Sequence, residues 1–247
     1  MRHRKVVAGH AEALDGVTSG ATVAIGGFGR TGVPTALIAE LCRRGLKDLH
    51  VVANNVGLSD DPTVGAGRLL LEGRARKFTC SFPSSPAFND VFHRGEVELE
   101  LVPQGTLAER LRAGGAGIGA FYTPTGAGTD LATGRFVARH DADGAVATYL
   151  AAKEHRAIGD VEHVLEYPIR PDVALVKAAL GDSYGNLRFR LGSRNFNPLA
   201  GMAARLTIAE VQAIAGAAID PDDVHLPGIF VDRMTLSDPA REGSDNS

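Results

Sequence analysis

The chain has 247 residues, 44% hydrophobic and 22% charged, a balance that suits one large domain with a buried core and excludes a wholly disordered protein. Lys and Arg number 26 against 29 Asp and Glu, a formal charge of −3, so there is no basic excess to hold a phosphate backbone and nucleic acid is not an expected partner. The two cysteines, Cys42 and Cys80, stand isolated, which argues against a disulfide framework or a thiolate zinc site and fits a reducing, cytoplasmic setting.

The basic start, Met1 to Lys5, is followed only by Val6-Val7-Ala8 before Gly9, too short for a signal-peptide core. No apolar run approaches the ~18 residues of a membrane helix, so no membrane partner is expected. Residues 7–14 read as a short helix closed by Asp15-Gly16. Thr22-Val23-Ala24-Ile25 suits a buried strand, and the loop Gly26-Gly27-Phe28-Gly29-Arg30-Thr31-Gly32 follows directly. Pro34 then opens a helix where its missing N–H costs nothing, and Leu37, Ile38, Leu41 and Cys42 form its apolar stripe.

Leu49–Val52 reads as the next strand, running out into Asn54-Asn55. A helix near 63–72, a strand over 77–82 and a helix near 86–93 come next. Val97, Leu99 and Leu101 alternate with Glu96, Glu98 and Glu100, the period of a strand with one solvated face. Pro103-Gln104-Gly105 leaves that strand, and Thr106 is placed to cap the amphipathic stretch from Leu107 to Arg112. The glycine-rich run Gly114 to Gly126 suits either a cleft wall or close packing of a strand under a helix. Further strands are predicted over 135–140, 145–149, 172–177 and 186–190, which makes the C-terminal third strand-rich. Strand alternating with helix predicts an α/β fold with an open, mainly parallel sheet flanked by helices. No repeat or linker divides residues 1–236, and the polar stretch 237–247 reads as a disordered tail.

Three strand exits carry candidate chemistry. Gly27-x-Gly29-x-x-Gly32 matches the dinucleotide fingerprint formally, but the acidic residue wanted at the next strand's end is absent; Asn54-Asn55 stands there instead. Those two amides, and the Gln104 amide between a proline and a glycine, are uncharged groups suited to holding a carboxylate or a thioester carbonyl. Each also has a plain turn or helix-entry reading. None of the eight histidines stands four residues from another, so no helical zinc pair exists and no metal is expected. Gly181-Asp182-Ser183-Tyr184-Gly185 matches the nucleophile-elbow string, yet a strand follows at once and a turn is the better reading. Arg188, Arg190 and Arg194 read as a surface ion-pairing cluster.

Taken in order, several segments resemble the alpha (A) subunit of the family I 3-oxoacid CoA-transferases, from about residue 5 to residue 235. The carriers are Asp15-Gly16, Gly26-Gly27-Phe28-Gly29-x-x-Gly32-x-Pro34, Asn54-Asn55, Val102-Pro103-Gln104-Gly105-Thr106-Leu107-Ala108-Glu109-Arg110, Ala120 to Gly126, Lys177-Ala178, Asp182-x-x-Gly185-Asn186 and Arg194-Asn195-Phe196-Asn197. The resemblance implies the CoA-transferase / NagB-RpiA-like fold and transfer of CoA from an acyl-CoA, commonly succinyl-CoA, to a 3-oxo acid, acetoacetate or 3-oxoadipate. It implies a coenzyme A thioester as substrate and no permanently bound cofactor. In this family a glutamate attacks the thioester, forms an acyl anhydride and captures CoA as an enzyme thioester, a covalent relay that splits one hard exchange into easier halves.

That glutamate lies in a Ser-Glu-Asn-Gly context of the family's beta chain, and no Glu of this chain precedes Asn-Gly. Glu96, Glu98, Glu100 and Glu109 read as solvated or ion-paired. The expectation is therefore no catalytic nucleophile in this chain and, as partner, a beta (B) subunit in a heterodimer or heterotetramer. Carried over by position, Asn54, Asn55 and Gln104 face the partner's glutamate, and the loop Gly26, Gly27, Phe28 and Gly29 borders the same cleft. Cys80-Ser81-Phe82-Pro83 resembles the 3-oxoadipate branch, which often continues with a basic residue where this chain has Ser84. A CoA-thioester hydrolase component on the same fold and a stand-alone ligand-binding sensor are the competing readings.

Overall fold

The computed structural model describes residues 5–238, so the tail expected from Ser237 falls outside the described residues except for its first two positions. In chain order the elements are α1 (His10–Ala13), β1 (Thr22–Ile25), α2 (Thr35–Arg43), β2 (Leu49–Asn55), α3 (Ala66–Leu71), β3 (Ala75–Phe82), α4 (Pro86–His93) and β4 (Glu98–Leu101). Then come α5 (Gln104–Ala116), β5 (Phe121–Thr123), α6 (Asp130–Thr133), β6 (Val137–His140), β7 (Val146–Tyr149), β8 (His155–Ile158) and β9 (Val161–Glu166). The last are β10 (Val173–Gly181), β11 (Leu187–Arg188), α7 (Asn197–Ala203), β12 (Leu206–Ile214) and β13 (Arg233–Leu236).

Seven strands form one parallel sheet in the order β13-β12-β10-β1-β2-β3-β4, with β11 paired antiparallel to β10. The chain builds outward from β1 to β4, then returns to the other side of β1 to build β10, β12 and β13. Strand order thus reverses between β1 and β10, and the crevice above such a reversal is where open α/β sheets bind ligands. Two small antiparallel sheets, β5-β9-β8 and β6-β7, sit beside this one.

Alternation along the strands divides the core into two layers. Val23 and Ile25 of β1, Val51 of β2, Phe78 of β3 and Leu99 of β4 pack against α1 to α4 through Leu14, Leu37, Leu41, Leu69 and Phe88. Ala24, Val52, Ala174, Val176 and Ala209 face the other way, onto Leu107 and Leu111 of α5 and Ala200 and Ala203 of α7.

Several boundaries differ from those read in the sequence. The first helix shortens to α1 and the third to α3, and β5, α6, β8, β9, β12, β13 and α7 add to the predicted elements. Thr106 is not a cap: α5 opens at Gln104 after Pro103, and the Thr106 hydroxyl is buried without a hydrogen-bond partner. The face of β4 expected to be solvated is covered in part. Glu100 is 21% exposed and pairs with Arg110 at 2.6 Å and Lys77 at 3.2 Å. The start of the Gly114 run is neither a cleft wall nor a strand under a helix but the end of a helix packed on a loop. α5 continues through Gly114 and Gly115, and a Cβ on Gly114 would meet the Ile169 carbonyl at 2.0 Å.

Candidate functional site

The loop after β1 folds back on itself, with Phe28 and Thr31 exchanging backbone hydrogen bonds at 3.0 and 2.9 Å. Gly27 and Gly29 take φ values of +112° and +58°, backbone that an L side chain rarely adopts. Phe28, at the tip, is 48% exposed.

Asn54 and Asn55 end β2 beside this loop, and both are buried. Alternation sends them to opposite faces of the sheet. The Asn55 side-chain oxygen accepts from Gly29 N at 2.9 Å, and its Nδ2 donates to the Gly57 carbonyl at 3.3 Å. Gln104, the first residue of α5, donates from Nε2 to Asn54 Oδ1 at 2.8 Å, and Asn54 Nδ2 reaches Asn55 Oδ1 at 3.4 Å. A row of amides therefore runs Gln104, Asn54, Asn55, Gly29 N across the carboxyl ends of the strands. A narrow crevice between loop and row is lined by Gly26, Gly27, Gly29, Asn54, Asn55 and Gly65 among others, with no carboxylate among the described residues of its wall. The Gln104 and Asn54 amide nitrogens each carry a second N–H beyond the one used in the row.

Two larger hollows, of about 320 and 470 Å³, lie against α2 and beside β4. Their charged walls are internally paired, as Arg43 with Glu40, Arg68 with Glu72 and Lys77 with Glu98, and neither is lined by the glycine loop, Asn54 or Gln104.

The dinucleotide reading of the loop fails on electrostatics. A pyrophosphate on such a loop needs the open N–H groups at the start of the next helix. Here the first turn of α2 is occupied from inside: Glu210 of β12 accepts from Ala36 N at 2.9 Å and Leu37 N at 3.2 Å. Glu210 is fully buried, and burial raises its carboxyl above the ordinary range while Lys177, 3.8 Å away on β10, opposes the rise. A buried carboxyl bonded to those two N–H groups already fills the place where phosphate would sit. Nothing local in the sequence announces this, since Lys177 and Glu210 meet only through strand register.

The remaining sequence features resolve as structure. Ser183 lies in the turn from β10 to β11, where Asp182 accepts from the Tyr184, Asn186 and Ile219 backbone N–H groups. Arg188, one of the three arginines of the basic cluster, pairs with Asp223 at 3.0 Å on the surface. Burial raises both thiols, Cys42 to about 11 and Cys80 to about 12, so neither forms a nucleophile near neutrality. Among the described residues no group of three or more His, Cys, Asp or Glu is placed to hold a metal, and no helix is long and apolar enough to cross a membrane.

Comparison with known proteins places this geometry in a family. Residues 8–237 match the coenzyme A transferase model. The chain is 48% identical over 241 residues to the A subunit of the probable succinyl-CoA:3-ketoacid coenzyme A transferase of Mycobacterium tuberculosis, covering 96% of each chain. It is 42% identical over 238 residues to the A subunit of the 3-oxoadipate CoA-transferase of Pseudomonas putida, covering 95% of this chain and 94% of that one. Among solved structures, the acyl-CoA transferase apoenzyme of Escherichia coli O157:H7 superposes with a TM-score of 0.80 at 23% identity. That alignment takes in 99% of this chain but 48% of the other, so this chain spans about half of that enzyme. By family match and by full-length likeness to its curated relatives, this chain belongs to the coenzyme A transferases, as the alpha (A) subunit of the 3-oxoacid type.

Proposed function

We propose that this chain contributes the amide half of a CoA-transfer site and that a carboxylate from a B subunit completes it. In this reading CoA moves from succinyl-CoA to a 3-oxo acid, acetoacetate or 3-oxoadipate, in the cytoplasm. The partner's glutamate attacks the thioester carbonyl and expels CoA thiolate, leaving a mixed anhydride. The thiolate then attacks the glutamyl carbonyl and releases the free acid, and the acceptor acid repeats the steps in reverse. Gln104 and Asn54 would donate their second N–H groups to the carboxylate and to charge developing on the reacting carbonyl. Asn55 and the Gly26–Gly29 backbone would hold the opposite wall.

One observation carries this reading: the buried Asn54 and Asn55 amides, the first bonded to Gln104, border a crevice at the carboxyl ends of β1 and β2 that has no carboxylate among its described residues. The site is chemically matched to an anion and lacks the nucleophile the transfer needs. The curated relatives are themselves the A subunits of CoA-transferases, which supports the same division.

Co-expression with the adjacent reading frame should bring down a chain of similar size. The purified pair should consume a CoA thioester only when a free acid is supplied. Borohydride reduction after charging with acyl-CoA should mark the companion and leave this polypeptide unlabelled. Consumption without an acceptor acid would instead identify a hydrolase. Full exchange by this chain alone would overturn the division of the site.

A further inference from the structure

At the point where β1 leaves the sheet, its neighbour β10 loses a ladder partner. Gly26 N still donates to the Leu175 carbonyl at 2.9 Å, but Lys177 N, next in register, donates to the side-chain oxygen of Asn197 at 2.9 Å. Asn197 opens α7 and is completely buried. Its Nδ2 donates to the Gly32 carbonyl at 3.0 Å and the Ser193 carbonyl at 2.9 Å. One carboxamide thus stands in for the missing strand and grips the far end of the glycine loop. Two residues earlier, Asn195 Nδ2 donates to the Thr31 carbonyl at 3.1 Å, a second hold on the same turn.

The fit also works in the other direction. A Cβ on Gly26 would lie 1.9 Å from Asn197 Oδ1, and one on Gly32 would lie 2.8 Å from Asn197 Nδ2. The loop has glycines at both ends because this side chain occupies the space between them. From the loop the connection runs through Gly29 N to Asn55, on to Asn54, and ends at Gln104.

We infer that Asn197 is a positioning residue for the transfer site: it fixes the glycine loop from behind and, through Gly29 and Asn55, sets the register of the amide row. The inference rests on the function proposed above, in which that row faces the reacting carbonyl. A buried amide with its acceptor and both donors engaged is a rigid anchor, because losing any one bond leaves a buried group unsatisfied.

Two variants test it, Asn197→Ala and Asn197→Asp, the second keeping the acceptor for Lys177 N but turning an anion toward two carbonyls. In the assembled two-subunit enzyme each should lower kcat by about tenfold to a hundredfold with KM for the CoA thioester unchanged within about twofold, as misplacement of a reacting group does. In the full chain without its partner, amide hydrogen exchange over residues 27–33 should accelerate while β10 and β12 keep their parent rates. Gly26→Ala should reproduce the kinetic loss, and combining it with Asn197→Ala should cost less than the two losses multiplied, since both disturb one contact. Uniform acceleration of all amides, kcat within about twofold of the parent, or independent effects of the two substitutions would overturn the inference. The exchange measurement needs no turnover, so it decides the anchoring of the loop even if the pair proves inactive and the proposed function fails.

Discussion

Gln104 and Asn54 are separated by fifty positions in the chain, and the carboxamide of the first donates to that of the second at 2.8 Å. The contact joins the entrance of α5 to the exit of β2 across an intervening strand. It is held by the backbone, because Pro103 leaves β4 in extended geometry and α5 begins at once. Arg110, farther along α5, is tied to Glu100 of β4 at 2.6 Å and to the Tyr167 carbonyl at 2.8 Å, so the helix cannot slide over the sheet.

Gln104→Ala should therefore lower turnover of the assembled enzyme by about a hundredfold, the loss of one oxyanion-type donor at ~3 kcal/mol, with assembly unaffected. Steady-state rates and size-exclusion profiles of parent and variant check this. Turnover within about twofold of the parent would remove Gln104 from the reaction.

His50, half-buried on β2, contacts Thr79 Oγ1 at 2.8 Å, and burial, reinforced by Lys77, pushes its pKa down from 6.5 to about 4. Between those values the unfolded chain takes up a proton that the folded chain refuses. Stability present above pH 6.5 is lost as pH falls toward 4, with a slope approaching about 1.4 kcal/mol per pH unit. His50→Gln should flatten melting temperature against pH in that window, and calorimetry from pH 7 to 4 measures it. Parallel curves would refute the assignment.

Glu100 acts at lower pH. Burial pushes its carboxyl up, but Arg110 and Lys77 outweigh burial and hold it at about 2 instead of 4.5. This depressed acid contributes stability that is whole above pH 4.5 and disappears as pH falls through 2. Glu100→Gln should cost about 2 kcal/mol at neutral pH, between the limits for exposed and buried pairs. The gap to the parent should close in acid. Urea melts at pH 7 and pH 3 give the comparison.

The Lys177–Glu210 pair makes a prediction about cost and recovery. Glu210→Leu removes both the cap on α2 and the carboxyl facing Lys177 and should destabilise by about 3 kcal/mol, typical of breaking a buried pair. Adding Lys177→Met should recover part of that loss. Chemical denaturation of the two singles and the double yields the coupling. Strict additivity would mean the two charges do not interact.

The local signals in the chain are sufficient for the first half of the scaffold. β1, the glycine loop after it and the helix behind Pro34 follow from short-range rules: an apolar run, backbone that only glycine adopts readily, and a proline at a helix entrance. β12 is hidden because Glu210 interrupts its apolar run, and a glutamate reads as solvated until its buried partners are known. The small strand β8 is equally silent, being exposed throughout, and β9 beside it is buried only toward its end, so neither carries a full period-two pattern.

By itself, then, the sequence determined the α/β class, the position of the glycine loop and the types of residue at the strand exits. The tertiary structure decided which of those residues meet: Gln104 with Asn54, Asn55 with Gly29, Asn197 with Gly26 and Gly32, and Glu210 with the start of α2. Secondary structure answers to forces acting over a few residues, whereas these contacts depend on strand register and on how two helical layers settle on opposite faces of one sheet.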